Sequence, residues 1–166
     1  MIDSVSMPER RLGLLRRNKN LVKQLEELSE ATVEVRDGVT FECDDPIIGM
    51  RVKQVLTAFG RGFAMDDALN LLDEEQEMCL IDVTEYSGKS RDRLGDLKGR
   101  VIGRKGKSKA VIEKATGTKI VIQGKTVGII GRWQSVQLAR DAVCMLLEGR
   151  KHGTVFRYLE ENAQKI

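Results

Sequence analysis

Residues 101–108 read Val-Ile-Gly-Arg-Lys-Gly-Lys-Ser, and their types and spacing suit the gripping of an anion. Gly103 and Gly106 flank a basic pair, Arg104 and Lys105, and an apolar-periodic run follows. Glycine lets a ligand come nearer to the backbone than a Cβ would permit. A loop that opens a helix adds free N–H groups, which favour phosphate. The phosphate could belong to a nucleotide or to a strand of RNA. A nucleotide-binding P-loop needs GxxxxGK[ST], and Gly106-Lys107-Ser108 supplies its last three positions. Val101 stands where the leading glycine must open the loop around a β-phosphate, so this reading fails. A second Gly-Lys-Ser, at 88–90, fails in the same way at Val83.

The charge distribution favours a polyanion. Net charge is +3 over 166 residues, but residues 1–75 carry 10 basic and 15 acidic side chains, whereas 76–166 carry 18 and 10. Within 86–109 there are 9 basic residues to 2 acidic, and the loop lies in that block. Such density is the footprint of a polyanion partner, although a charge run is often only a solvated face. Forty-one per cent of residues are hydrophobic and only 4 % aromatic, so Leu, Ile and Val must supply the core. No apolar run reaches the ~18 residues of a membrane helix, and Met1-Ile2-Asp3 lacks the order of a signal peptide. The expectation is a soluble, cytoplasmic protein. Cys43, Cys79 and Cys144 are too far apart for a zinc knuckle, and His152 is the single histidine. Buried reduced thiols are expected, and neither a metal nor another cofactor. No nucleophile–base pair or carboxylate cluster points to an enzyme. Asp66-Asp67 and Glu74-Glu75 read as helix-capping and solvated charges.

The elements that must position the loop occur twice. Shifted by 87 positions, Ile112, Glu113, Ile120 and Ile122 fall on Leu25, Glu26, Val33 and Val35, and Gly149 falls on Gly62. Two copies of half the chain imply two related domains, with a boundary near Leu72–Gln76. In each copy alternating residues lead into a tight turn, Asp37-Gly38 or Gly124-Lys125, and out again. Asp-Gly suits a type I′ turn and Gly-X a type II′ turn, so each copy holds a hairpin. A long helix follows: Pro46 after an Asp44 or Asp45 cap begins one, with Ile48, Val52, Val55, Leu56 and Phe59 inward. Val136, Ala139, Val143, Leu146 and Leu147 form the stripe of the other, with Gly149 as its stop. Helices at 21–28 and 107–115 precede the hairpins, and strands at 2–7 and 79–85 precede those. Phe63, Ala68, Leu71 and Leu72 suggest a short docking helix. The segment 86–96 reads equally as a flexible surface loop or as a second RNA-contact surface.

Val101-Ile102-Gly103-Arg104-Lys105-Gly106, with Ile112, Thr116-Gly117 and Ile120-Val121-Ile122, resembles the VIGxxG core of KH domains. The resemblance implies an α+β fold of two tandem type I KH domains, βααββα. Each would be a three-stranded antiparallel sheet with helices on one face, over 1–75 and 76–166. It also implies single-stranded RNA as ligand, with about four nucleotides clamped by such a module. Gly103 and Gly106 would meet the sugar-phosphate backbone, with Arg104 and Lys105 pointing outward beside it. Val101, Ile102, Ile112 and Ile120 would line a groove for bases, although Ile112 is better explained as core. Lys98, Arg100, Lys107 and Lys109 would extend the electrostatic track, each being equally readable as a solvated cation.

In the first copy Arg16-Arg17-Asn18-Lys19 occupies the loop, and neither glycine is present. Its Cβ atoms would hold a strand away, so that domain is expected to buttress the other or to bind a protein. GRGFAMDDALNLL at 60–72 and GRKHGTVFRYLEEN at 149–162 extend the resemblance. Together with the KH copies they make the chain look like the archaeal Dim-two-type, or partner-of-Nob, ribosome-assembly factors. That family implies binding near the 3′ end of small-subunit rRNA, with a PIN-domain endonuclease and the alpha subunit of archaeal initiation factor two as possible partners. A scaffold that binds only protein is the alternative. In the tail, Val155, Phe156 and Leu159 are expected to pack on a neighbouring domain. His152 reads as a turn residue and Trp133 as a packing anchor.

Overall fold

The computed structural model describes all of residues 1–166. The chain divides into two compact units, Met1–Gln76 and Glu77–Ile166. Unit one runs β1 (Ile2–Val5), α1 (Glu9–Arg17), α2 (Lys19–Ser29), β2 (Thr32–Val35), β3 (Val39–Glu42), α3 (Pro46–Gly60) and α4 (Met65–Ala68), then a 3-10 turn at Leu69–Leu72. Its antiparallel sheet has the order β1-β3-β2, with Val33 opposite Phe41 and Val35 opposite Val39. Val39 and Phe41 are buried while Thr40 and Glu42 are exposed, the period-two pattern of a sheet covered on one face. Leu12 and Leu15 of α1, Leu25 of α2, and Val52, Val55, Leu56 and Phe59 of α3 complete the core. The Asp45 carboxylate accepts the Ile47 N–H at 2.8 Å, with Pro46 opening α3. Side-chain cap and N1 proline together fix that helix start.

Unit two repeats the plan with additions: β4 (Gln76–Asp82), α5 (Thr84–Ser87), α6 (Arg91–Ile102), α7 (Lys107–Thr116), β5 (Lys119–Gln123), β6 (Thr126–Arg132), α8 (Trp133–Leu147) and α9 (His152–Ala163). Its sheet order, β4-β6-β5, is that of unit one. The core gathers Ile81, Leu97, Val101, Ile112, Ile120, Ile129, Val143 and Leu146. Val155 and Leu159 of α9 belong to this same core, packed beside α7 and α8. The tail therefore completes the core of its own unit, where the sequence led to an expectation of packing on a neighbouring domain. A Schellman pair ends α8: Gly149 N–H donates to Leu146 O at 3.1 Å and Arg150 N–H to Met145 O at 3.0 Å. No helix is long and apolar enough to cross a membrane.

The 87-residue shift has concrete twins. Glu26 Oε2 accepts the Val33 N–H at 3.0 Å, and Glu113 Oε2 accepts the Ile120 N–H at 2.9 Å. Both receiving strands are sheet edges, so the glutamate fills a bond that no strand supplies. Arg11 Nε donates to Phe59 O and its Nη2 to Phe63 O, each at 2.8 Å. Arg100 Nε donates to Leu146 O at 2.9 Å and its Nη2 to Arg150 O. The acceptors differ by 87 but the arginines by 89, so the repeat slips by two residues before the loop.

Some expectations change. Strand β1 is shorter than 2–7, and residues 84–87 at the end of the expected second strand form α5. The hairpin in unit one closes through three residues, 36–38, none with positive φ, and is not a type I′ turn. In unit two Gly124-Lys125 closes two residues, with positive φ at Gly124 alone, as type II′ requires. Segment 86–96 is not a flexible loop. Ser90 Oγ accepts the Arg93 N–H at 3.1 Å, and that cap starts α6 at Arg91.

Candidate nucleic-acid interface

The GRKG loop is built by two helices that stop and start within four residues. Gly103 N–H donates to Gly99 O at 2.8 Å and ends α6; Gly106 N–H returns to Gly103 O at 3.2 Å. Gly103 has φ 75° and ψ 173°, a region open in practice only to glycine. Lys105 (φ 53°, ψ 28°) and Gly106 (φ 76°, ψ 14°) are both left-handed, and α7 begins at Lys107.

The two glycines are required for different reasons. A Cβ on Gly103 would lie 2.3 Å from Ser108 Oγ and 2.6 Å from Ser108 N, so that direction is turned inward and filled. A Cβ on Gly106 would meet nothing within 4 Å. The expectation that both glycines bare their peptide to a ligand is thus corrected at Gly103, where close packing on Ser108 is the demand. Gly106 keeps the open face.

Around the loop, Arg104, Lys105 and Lys107 are exposed, and Lys98 and Lys109 are half-buried. None of these five forms an ion pair within the chain. Their positive charge is therefore uncompensated at the opening of a helix. Arg100 is different. Its guanidinium is spent on the Leu146 and Arg150 carbonyls, so it caps the end of α8 and does not extend the cationic track.

The apolar residues also sort themselves. Val101 and Ile112 are 0 % exposed and Ile120 is 1 %, so they are core and not groove walls. Ile102, at 37 %, faces outward beside the loop. Half-buried Ile122 packs against the core on the Ile120 side of β5, and half-buried Val121 lies on the opposite face of the strand. In unit one the space between α1, α2 and β2 is an open groove of about 620 Å³. Leu15, Val22 and Val33 line it, with Arg16 and Lys19 on the rim. Arg16 is held by the Glu9 carboxylate and the Arg36 carbonyl.

Several further residues differ from expectation or take a definite place. Trp133 is 56 % exposed and is no packing anchor. His152 opens α9, with Nε2 3.0 Å from Arg100 O and its ring edge-on to Phe156 at 6.0 Å. All three cysteines are free, but only Cys43 is fully buried. Burial pushes the Cys79 thiol up, and the Tyr86 hydroxyl, bonded to Cys144 and partly desolvated, is pushed up to about 12.

Residues 77–164 match the model of the second KH domain of PNO1 proteins, described as a eukaryotic-type KH domain (KH type I). The chain belongs to the Dim2/PNO1 family. A KH domain-containing protein of Methanocaldococcus jannaschii is 35 % identical over 99 % of this chain and 75 % of that protein. The pre-rRNA-processing protein PNO1 of Saccharomyces cerevisiae is 29 % identical over 84 % of this chain. The chain spans 51 % of that yeast protein and 59 % of the RNA-binding protein pno1 of Ixodes scapularis. Among solved structures, Dim2p from Pyrococcus horikoshii superposes with a TM-score of 0.88 at 30 % identity, over 97 % of this chain and 99 % of that one. A chain of the a/eIF2alpha–aDim2p–rRNA complex from the same organism gives 0.90 at 29 %, over 100 % and 96 %. The α+β fold of this Dim2/PNO1 member, with its two three-stranded antiparallel sheets, is that of its structural relatives.

Proposed function

We propose that this protein binds single-stranded RNA through its second unit, and that the strand is the 3′ region of small-subunit rRNA or its precursor. The carrying observation is the loop at 103–106: Arg104, Lys105 and Lys107 stand without anionic partners where α7 opens, beside exposed Ile102. That arrangement grips phosphates while leaving bases free to lie on apolar surface. Relatives described as pre-rRNA-processing proteins, and the rRNA complex of a structural neighbour, support the choice of RNA. The same complex contains a/eIF2alpha, which makes the alpha subunit of archaeal initiation factor two the favoured protein partner.

Unit one, over 1–75, is then a KH domain that has lost its grip, and the KH domain of 76–166 keeps it. Unit one has the βααββα order and the β1-β3-β2 sheet, but Asn18 alone joins its two helices and no glycine stands there. This unit faces a protein in the assembly.

The test is titration of labelled single-stranded RNA at several salt concentrations. Arg104→Asp with Lys105→Asp replaces two cations by two anions and should weaken binding at least about tenfold. The wild-type affinity should fall by roughly 0.7 log unit per log unit of salt for each phosphate held. Unchanged affinity in the double variant would leave the protein a scaffold with little RNA affinity of its own.

A further inference from the structure

Behind the loop lies a cleft of about 460 Å³ that the groove reading does not use. Asp96, Gly99, Arg100 and Gly103 present one face of α6 to it, at the i, i+3, i+4, i+7 spacing of a single helical stripe. Ile102 is three residues from Gly99, about 60° around the helix, so the apolar surface beside the loop borders this stripe of α6. The far wall is α9, through His152 and Phe156, and the floor is Lys107 and Ser108 at the start of α7.

Ser108 marks what the cleft lacks. The residue is 4 % exposed, and its hydroxyl makes no hydrogen bond within the chain. No side-chain oxygen or nitrogen is both fully covered and unpartnered, so this hydroxyl reaches the open space of the cleft. A hydroxyl open to the cleft is free to donate to a ligand oxygen there. Beside it stand the first N–H groups of α7 and the unpaired cations Arg104 and Lys107. Those groups ask for an anion. Half-buried Phe156, with the His152 ring edge-on to it, adds an apolar surface on which a flat base can rest. The only acid on the lining, Asp96, is exposed, and repulsion from it favours a phosphate seated at the Ser108 end. The volume falls within the 300–1,000 Å³ typical of small-ligand sites, enough for one nucleotide and not for a strand.

We propose that this cleft is a second phosphate subsite, taking one nucleotide of the bound RNA as the strand passes around the GRKG loop from the groove. It rests on the RNA-binding reading above. The phosphate would accept from Ser108 Oγ and the α7 backbone, with Arg104 and Lys107 neutralising it and Phe156 carrying the base. A free mononucleotide offers the same chemistry, and the experiment separates the two.

The full chain is titrated with inorganic phosphate and with AMP, following backbone amide signals by NMR. Single-stranded RNAs of about four and about eight nucleotides are titrated in parallel. AMP should shift the Lys107, Ser108 and Phe156 signals, and inorganic phosphate the first two only. Ser108→Ala, which only removes an oxygen, should weaken the AMP response about tenfold, as loss of a charge-assisted bond does. Phe156→Leu, which keeps apolar bulk, should weaken AMP and leave phosphate unaffected. Both variants should weaken the longer RNA about tenfold and spare the shorter one. AMP signals that stay still, or that respond equally in Ser108→Ala, would overturn the subsite. An AMP site sensitive to Ser108, with the longer RNA indifferent to it, would overturn the RNA assignment in favour of a free nucleotide. Should the Arg104/Lys105 double variant bind the short RNA normally, the groove reading fails, and the AMP arm still decides the cleft.

Discussion

Gly103 and Gly106 sit three residues apart in one loop, yet substitution should separate them. Alanine at 103 meets both a backbone region closed to side chains and a Ser108 that cannot withdraw, because its own N atom lies 2.6 Å from the new Cβ. The left-handed backbone at 106 costs alanine about 1–2 kcal/mol and brings no clash. Gly103→Ala should therefore lower the unfolding midpoint well beyond Gly106→Ala, and thermal unfolding of the two variants checks the order. Lys105 holds the same left-handed conformation without being glycine, a strain of the kind that gathers at ligand sites. Lys105→Gly should leave stability unchanged or raise it by up to about 1 kcal/mol while weakening RNA. A gain in RNA affinity from that change would remove Lys105 from the contact.

The helix ends carry the clearest lesson in what the sequence discloses. Glu30 and Gly117 are twins under the 87-residue shift, and both close a helix in the left-handed conformation, with φ 59° and 71°. Unit one thus holds a glutamate where unit two holds the residue best suited to the position. Glu30→Gly should stabilise the protein by up to about 1 kcal/mol, read as a rise in the unfolding midpoint; a fall would show that the Glu30 side chain matters more than its backbone. Arg100 argues the opposite case. The basic tally of 86–109 made it a phosphate contact, but its two carbonyl bonds across 46 and 50 residues could not be seen in a one-dimensional pattern. Arg100→Lys should lose stability almost as fully as Arg100→Ala, because an ammonium cannot reproduce the planar fork. What was legible was periodic or local: hairpins, the Asp45 cap, the Gly149 stop and the inner stripes of α3 and α8. What was not legible depended on partners distant in sequence. Val101 and Ile120 became core, Trp133 remained exposed, and Ser90 turned an apparent loop into the first turn of α6.

At the scale of the whole molecule, charge and core are distributed unequally. Residues 76–166 carry 18 basic and 10 acidic side chains, against 10 and 15 in residues 1–75. Counterion release depends on cations that meet phosphates, and those without intrachain partners around the loop all lie in the second unit. Its core is also self-contained, since every residue of the cluster from Ile81 to Leu159 comes from that unit, α9 included. About 90 residues with a continuous core suffice for independent folding. The fragment 77–166 should therefore unfold in one cooperative thermal transition. It should bind single-stranded RNA within about threefold of the full chain, with the same salt slope, because the phosphates are met by the same side chains. Truncation before α9 should abolish that cooperativity, since it strips Val155 and Leu159 from the core. A fragment that folds but loses most of its affinity, or whose salt slope falls, would place phosphate contacts in unit one. Arg16, Lys19 and Lys23, on the rim of its open groove, would then be the residues to substitute first.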